Sequence, residues 1–422
     1  MGSFHQAFWH SNDSGQTRAE RRGGSYYYYL PTKLKSLDIA LDSDVVSDLV
    51  RAESAIRELN VAARYPHNSE GLARFLLRAE SVSSSYIEGL QIGAKRLLKA
   101  ELRASDSELL NPDETATDII GNIHAMEEAL KRAQSESCVT ADTIINIHRT
   151  LLKDTRSSEF AGVVRTEQNW IGGNWFNPLQ AEFVPPAPQY VGDLLDDLAD
   201  YCNSELVSPI QQAAIAHAQF ETIHPFADGN GRTGRALIHL ILRKRGLAPN
   251  LIPPISLILA TFSDAYIDGL TATRRSDNQG LEHILAGYNE WISFFAGTCV
   301  RACKASRQFE QATNELQAKW RSQLGALRKG SAAELLLDEL IGMPIVSLQS
   351  LQKSTGRSIG ALSQAVERFV DAGILKPLSN TVRKRSFEAF EVLRIFNTYE
   401  RQLASPAGNT RLEKPARPVP SK

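Results

Sequence analysis

The chain predicts an all-α fold with a small β-hairpin, and three observations carry that expectation. Apolar residues recur at helical spacing over long stretches: Leu49, Ala52, Ile56 and Leu59 share one face, and apolar-periodic runs cover Ile210 to Ile223 and Ala236 to Leu247. Between residues 112 and 300 the one clear β-prone interruption brackets Gly172-Gly173. Hydrophobic residues make up 42% of the 422, enough for sizeable cores in two or three domains.

Taken in order, residues 1–25 are rich in Ser, Gly, Gln and charge, end in Arg21-Arg22-Gly23-Gly24, and read as a flexible lead. Tyr26 to Tyr29 and Pro31 begin an extended entry, the tyrosines being expected to pack on the first helices. Residues 26–108 form an N-terminal helical domain. Residues 112–300 form the main helical domain, in which Thr140-Ala141-Asp142 starts a helix backed by Ile144, Ile145, Ile147 and Leu151.

Residues 330–400 read as a separate small domain. Ala332 to Leu340, Leu348 to Ser354 and Ile359 to Ala372 are helical, and a β-prone stretch runs through Val382 to Arg383-Lys384-Arg385. Three helices followed by a basic hairpin resemble a winged helix. Arg357, Arg368 and Arg383 to Arg385 offer DNA contacts. Glu334, Asp338, Glu339, Glu367 and Asp371 favour packing or protein contact instead. Residues 405–422, with four prolines, read as a disordered tail.

A formal net charge of −1 argues against wholesale nucleic-acid binding, though not against a local basic patch. Cys138, Cys202, Cys299 and Cys303 form no disulfide or metal-binding framework, which suits a reducing, cytoplasmic setting. No apolar run reaches membrane-spanning length, and the polar start has no signal-peptide core, so no membrane partner is expected.

The chemistry concentrates in His224-Pro225-Phe226-Ala227-Asp228-Gly229-Asn230-Gly231-Arg232-Thr233-Gly234-Arg235, between two apolar-periodic runs. Gly229, Gly231 and Gly234 permit backbone angles and approaches that a side chain blocks. Successive N–H groups at such a turn make an anion-binding concavity, and the following helix adds its positive end. Arg232 and Arg235 lie three apart in the first helical turn, where cations oppose the helix dipole unless an anion compensates. Asp228 offers hard oxygen for Mg²⁺ shared with phosphates. His224 is the side-chain type that acts as general base near neutral pH.

This segment resembles the Fic family motif HxFx(D/E)GNGRxxR and matches it at every specified position. The resemblance implies transfer of AMP from ATP to a Ser, Thr or Tyr hydroxyl of a protein, with the enzyme itself among its candidate targets. Carried over, His224 is the base, Asp228 the metal ligand, Gly229-Asn230-Gly231 the anion hole, Arg235 the γ-phosphate contact and Phe226 the anchor of the loop. Arg232, Thr233 and Gly234 complete the nucleotide site. Glycine at 231, where kinase relatives carry lysine nearby, favours adenylylation over phosphorylation. The family often lines its adenine pocket with paired tyrosines; here Tyr266 is followed by Ile267, and Arg274 stands where an asparagine is common, which leaves Tyr266 as the adenine contact.

Two further segments are read beside that motif. Ser84-Ser85-Tyr86-Ile87-Glu88-Gly89 fits the family's inhibitory pattern (S/T)xxxE(G/N), with Ser84 and Glu88 at the specified positions. The implied inhibition is competition: Glu88 would pair with Arg235, the arginine the γ-phosphate needs. Trp170-Ile171-Gly172-Gly173, followed by Phe183-Val184-Pro185-Pro186, resembles the family's target-holding β-hairpin flap, with Gly172-Gly173 at its tip. Reverse activity, a DNA-binding regulator built on a silent core, and a homodimer stay open at this level.

Overall fold

The structure is a computed structural model that describes residues 2–11, 15, 17–62, 69–105, 113–378, 385–407 and 413–417. Along the chain run β1 (Ser3–Trp9), β2 (Gly24–Leu30), α1 (Ser43–Ala62), α2 (Ser69–Ile87), α3 (Ala94–Ser105), α4 (Glu114–Ser135), α5 (Ala141–Leu152), α6 (Val191–Cys202), α7 (Pro209–Ile223), α8 (Asn230–Lys244), α9 (Ile255–Thr261), α10 (Ser263–Ala272) and α11 (Leu281–Leu324). Then come α12 (Ala332–Gly342), β3 (Ile345–Ser347), α13 (Leu348–Thr355), α14 (Ile359–Asp371), β4 (Lys376–Pro377), β5 (Ser386–Glu388) and α15 (Phe390–Leu403). The mainly helical class expected from periodicity is what the chain adopts.

The chain divides into two compact units, and neither is one continuous stretch. One comprises Met1–Glu53, His124–Leu247 and Asp264–Gly297; the other comprises Ser54–Ile123, Ala248–Ser263 and Thr298–Lys422. Helices α1, α4 and α11 are each divided between the units. Periodicity locates a helix, but not the partner its apolar face finds.

In the first unit the stretch read as a flexible lead contains β1, paired antiparallel with β2 from Ser3↔Leu30 to Trp9↔Gly24. Its alternation is short and aromatic, and its strand partner lies beyond a polar loop, so composition alone concealed it. The four tyrosines all lie on β2. Tyr28 is buried with Val184 and Ala187, and the Tyr29 N–H donates to the Val184 carbonyl at 2.9 Å.

The centre of this unit is the α7/α8 pair. Ser208 caps α7 by accepting from the Gln211 N–H, Pro209 occupies the first turn where no N–H is missed, and Ile210 to Ile223 are buried. In α8 every residue from Asn230 to Leu242 is buried. Gly234 makes the close approach possible: a Cβ there would lie 2.6 Å from Glu221 Oε1 and 2.8 Å from Phe220 Cδ1 on α7. Trp291 secures α7 from the other side, its indole N–H donating to the Ala214 carbonyl at 2.8 Å.

In the second unit α2 packs on α9 and α12. Glu80, buried on α2, accepts from the Ser256 N–H at 2.7 Å and its hydroxyl at 2.5 Å. The C-terminal elements enclose a separate core that includes Trp320, Leu336, Leu340, Val366 and Phe369, beside a sheet of order β3-β5-β4. Glu391 accepts from the Trp320 indole at 2.9 Å and from Lys319 at 2.7 Å. Two arginines considered for DNA contact serve the fold: Arg357 donates to the Gly330 carbonyl at 2.7 Å, and Arg368 donates to the Leu324 carbonyl. Arg383 and Lys384 lie outside the described residues. Part of the expected disordered tail is packed: the Ala416 N–H donates to the Ala404 carbonyl at 2.7 Å, and Arg417 is buried with its guanidinium 5.3 Å from the Tyr86 ring. Among the described residues, no helix is long and apolar enough to cross a membrane.

Candidate active site

His224 ends α7 in the left-handed conformation, at φ 48° and ψ 61°, the one described non-glycine residue with positive φ. That geometry stores strain of about 1 kcal/mol or more, and it persists because the surroundings fix it. The fixing is done carbonyl by carbonyl. The His224 carbonyl accepts from Arg165 Nε at 2.9 Å and Asn169 Nδ2 at 3.1 Å, and the Pro225 carbonyl accepts from the Arg165 N–H at 2.9 Å. The Phe226 carbonyl accepts from Asn169 at 3.1 Å and Asn230 at 2.8 Å, while the Phe226 N–H donates to Asn230 Oδ1 at 2.9 Å.

Phe226 is fully buried, its ring stacked on His148 at 3.7 Å between centroids and 5° between planes. His148 Nδ1 accepts from the Gly162 N–H at 3.0 Å, so its proton sits on Nε2, which donates to the Asp228 carbonyl at 2.9 Å. Burial, the largest influence, pushes the His148 pKa down to about 4, which keeps this neutral tautomer at physiological pH. Arg165 also donates to the Pro186 carbonyl at 2.5 Å and the Glu167 carbonyl at 3.0 Å, so one guanidinium ties the flap's base to the loop.

Gly229, at φ 76°, is the N-cap of α8 and offers no side-chain cap to the first-turn N–H groups. Those donors and the helix's positive end therefore face the loop's concavity. Arg232 is 5% exposed, yet its Nε and Nη1 have no hydrogen-bond partner among the described residues, and its Nη2 lies 3.5 Å from Asp228 Oδ1. A buried guanidinium with two idle donors is costly unless an anion arrives to take them. Arg235 is likewise buried, at 1%. Asp228 is exposed beside them, one oxygen accepting from the Gly229 N–H at 2.6 Å. Among the described residues no cluster of three or more His, Cys, Asp or Glu could hold a metal by itself. A single exposed carboxylate beside an anion site fits a divalent ion that takes its other ligands from phosphate and water.

This arrangement coincides with what other proteins share with the chain. Residues 138–242 match the model of the Fic/DOC family, and residues 46–131 match that of the Fic/DOC family N-terminal region. The chain carries a Fic/DOC domain over residues 138–242. A protein adenylyltransferase fic-1 of Caenorhabditis briggsae is 39% identical over 118 residues, covering 27% of this chain and 21% of that protein. A protein adenylyltransferase Fic of Nematostella vectensis is 36% identical over 135 residues, covering 30% of this chain and 29% of that one. The chain thus spans under a third of the length of these two relatives. The crystal structure of a Fic family protein from Desulfovibrio desulfuricans G20 superposes with a TM-score of 0.51 at 18% identity, over 83% of this chain and 97% of that one, a likeness of fold.

The Fic domain places the remaining residues as follows. Thr233 donates its hydroxyl to the Gly229 carbonyl at 2.9 Å, closing the first turn of α8. Tyr266 is a core residue, 4% exposed, its hydroxyl 2.8 Å from His217 Nε2. His217 in turn lies against Gly234. The flap is not a two-residue hairpin. Ile171 pairs with Phe183, and residues 172–182 form a loop that Gly172 and Gly173 open at φ 76° and 73°. Trp170 is half-buried, edge-on to Trp9 at 5.3 Å, with its indole donating to the Asn174 carbonyl at 2.7 Å; the bare apolar residue is Trp175. In the other unit Ser84 is buried, α2 ends at Ile87, and Glu88 is exposed in a turn closed by Gly89 at φ 81°. His148, Arg165 and Asn169 escaped sequence reading as loop supports.

His217 also supplies a test of this core by pH. Burial, assisted by Arg235, pushes its pKa down to about 3 from an ordinary 6.5. The unfolded chain therefore takes up this proton first, so the stability His217 contributes is full above pH 6.5 and is lost as pH falls towards 3. The stability gap between wild type and His217→Gln, measured by thermal unfolding, is expected to narrow steadily on acidification. A gap independent of pH would mean that His217 titrates in the fold as it does in the unfolded chain.

Proposed function

We propose that the chain is a protein adenylyltransferase that moves AMP from ATP to a protein hydroxyl and is held in check by Glu88. The observation that carries this reading is the coincidence, at one helix start, of a strained histidine, uncapped N–H groups and a buried arginine with idle donors. The nucleotide's phosphates lie on Gly229-Asn230-Gly231, Arg232 and Arg235. His224 takes the hydroxyl's proton as that oxygen bonds to the α-phosphorus, and the bond to the bridging oxygen breaks to release diphosphate. Asp228 would hold Mg²⁺, which would supply charge neutralisation for the leaving diphosphate. Trp170, Ile171 and Gly172 align the target's backbone, and the buried Tyr266 supports the nucleotide side of the site through His217.

Ser84 and Glu88 form the inhibitory turn, whose carboxylate competes with the γ-phosphate for Arg235. The DNA-regulator reading loses support from Arg357 and Arg368, both engaged in backbone contacts, while the helices and the β3-β5-β4 sheet favour a winged-helix-like module used for protein contact.

The test is labelling by α-labelled ATP with Mg²⁺, using wild type and Glu88→Gly. Because Glu88 is exposed, its ion pairing is worth about 1 kcal/mol, and its loss shifts the competent population by about five-fold. Self-labelling and target labelling are expected to rise by that factor or more, since glycine also loosens the turn. Labelling of Glu88→Gly at or below wild type, with unchanged circular dichroism, would leave Glu88 as a plain helix ending.

A further inference from the structure

Trp175 is 94% exposed, although the backbone around it is among the most securely tied in the flap. Asn174 Oδ1 accepts from the Phe176 N–H at 2.9 Å and the Asn177 N–H at 3.0 Å, and the Asn174 carbonyl holds the Trp170 indole. Asn177, 1% exposed, reaches across with Nδ2 to the carbonyls of Ala19 at 3.0 Å and Glu20 at 2.9 Å. A rigid platform therefore presents one large ring to solvent. Order has been imposed on the backbone without hiding the side chain, and exposed tryptophan on a fixed frame is the usual anchor of a protein interface.

The segment that Asn177 grips supplies charge beside the ring. Thr17 to Arg22 form a turn closed by the Arg21 N–H to the Thr17 carbonyl, and Arg18, Arg21 and Arg22 are all exposed on it. Glu20, the acidic residue among them, caps the turn by accepting from the Thr17 N–H at 2.8 Å. The turn thus carries three cations and one carboxylate, and that carboxylate is tied to backbone. The same flap joins the catalytic loop through Arg165, which bonds both the Pro186 and His224 carbonyls.

We propose that Trp175 and the Arg18–Arg22 turn form a target-selecting surface that takes an acidic segment of the protein whose hydroxyl is modified. Charge complementarity decides the occupant: carboxylates match the arginines, and the apolar stems among them lie on the indole. The inference rests on the adenylyltransferase reading, and the experiment separates the two.

Fluorescence anisotropy would follow full-length protein binding short synthetic peptides. Each peptide carries a single serine, flanked by Asp and Glu, by Asn and Gln, or by Lys; a single-stranded oligonucleotide is the fourth probe. The acidic peptide is expected to bind most tightly and to weaken with added salt. Trp175→Ala should weaken it roughly ten-fold. Arg18→Ala combined with Arg22→Ala should weaken it and flatten the salt dependence. Unchanged ATP binding in these variants shows that they are folded. An acidic peptide bound no better than the neutral one, variants with wild-type peptide affinity, or tighter binding of the oligonucleotide would each overturn the proposal. Peptide binding needs no turnover, and self-labelling of Glu88→Gly needs no peptide, so either reading can fail while the other stands.

Discussion

His224→Ala is expected to slow AMP transfer by roughly 10²–10⁴-fold while ATP binding stays near wild type, because proton removal from the attacking hydroxyl is lost and the phosphate contacts are not. One complication is built into the fold. His224 occupies left-handed backbone, where alanine carries a steric penalty of about 1–2 kcal/mol. His224→Asn removes that ambiguity, since asparagine is tolerated in this region and has no basic nitrogen. Both variants should be equally slow in a Glu88→Gly background, measured by single-turnover labelling with saturating ATP. If the asparagine variant transfers AMP at the wild-type rate, the histidine serves backbone geometry and the base is another group. If alanine is slow only because it has unfolded the loop, ATP binding will fall with it and asparagine will rescue both.

Much of this site could be read from the chain, and the rest could not, for a definable reason. The two apolar-periodic runs around residues 210–247 are α7 and α8, and the glycine between them caps α8, because capping and periodicity are local and leave local traces. Thr140 caps α5 for the same reason. The loop's supports left none. Asn169 and His148 act on carbonyls 55 and 80 positions away, and nothing in either neighbourhood marks them as partners of the loop. The N-terminal hairpin was missed because strand pairing is non-local and a polar loop diluted its composition. Around Gly172-Gly173 the ring left exposed is Trp175, while Trp170 is half-buried. Whether a tryptophan is covered depends on a tertiary neighbour, here Trp9, which spacing cannot supply. Likewise the proline-rich tail holds Arg417 in a buried place that composition gave no reason to expect.

Arg232 yields the second large effect, and it runs in opposite directions for binding and for stability. Arg232→Met keeps most of the side chain's volume and removes the guanidinium whose Nε and Nη1 find no partner in the fold. On the proposed reading those donors bind phosphate oxygens in the nucleotide complex, and hydrogen bonds between charged groups are worth about 1.5–3 kcal/mol, so kcat/KM for ATP should fall roughly 10- to 100-fold. In the free protein the same change relieves a buried, under-bonded charge. Its one ionic neighbour among the described residues, Asp228, is exposed and loses little when the arginine goes. The melting temperature of the nucleotide-free variant should therefore hold or rise, while the stabilisation that ATP and Mg²⁺ give to wild type should largely vanish. Differential scanning fluorimetry with and without nucleotide separates the possibilities. A variant that melts earlier yet binds ATP like wild type would make Arg232 a structural cation, and the anion site would then rest on Arg235 and the backbone alone. The opposite result identifies a residue retained against the interest of the empty fold, which is the energetic mark of a group kept for its ligand.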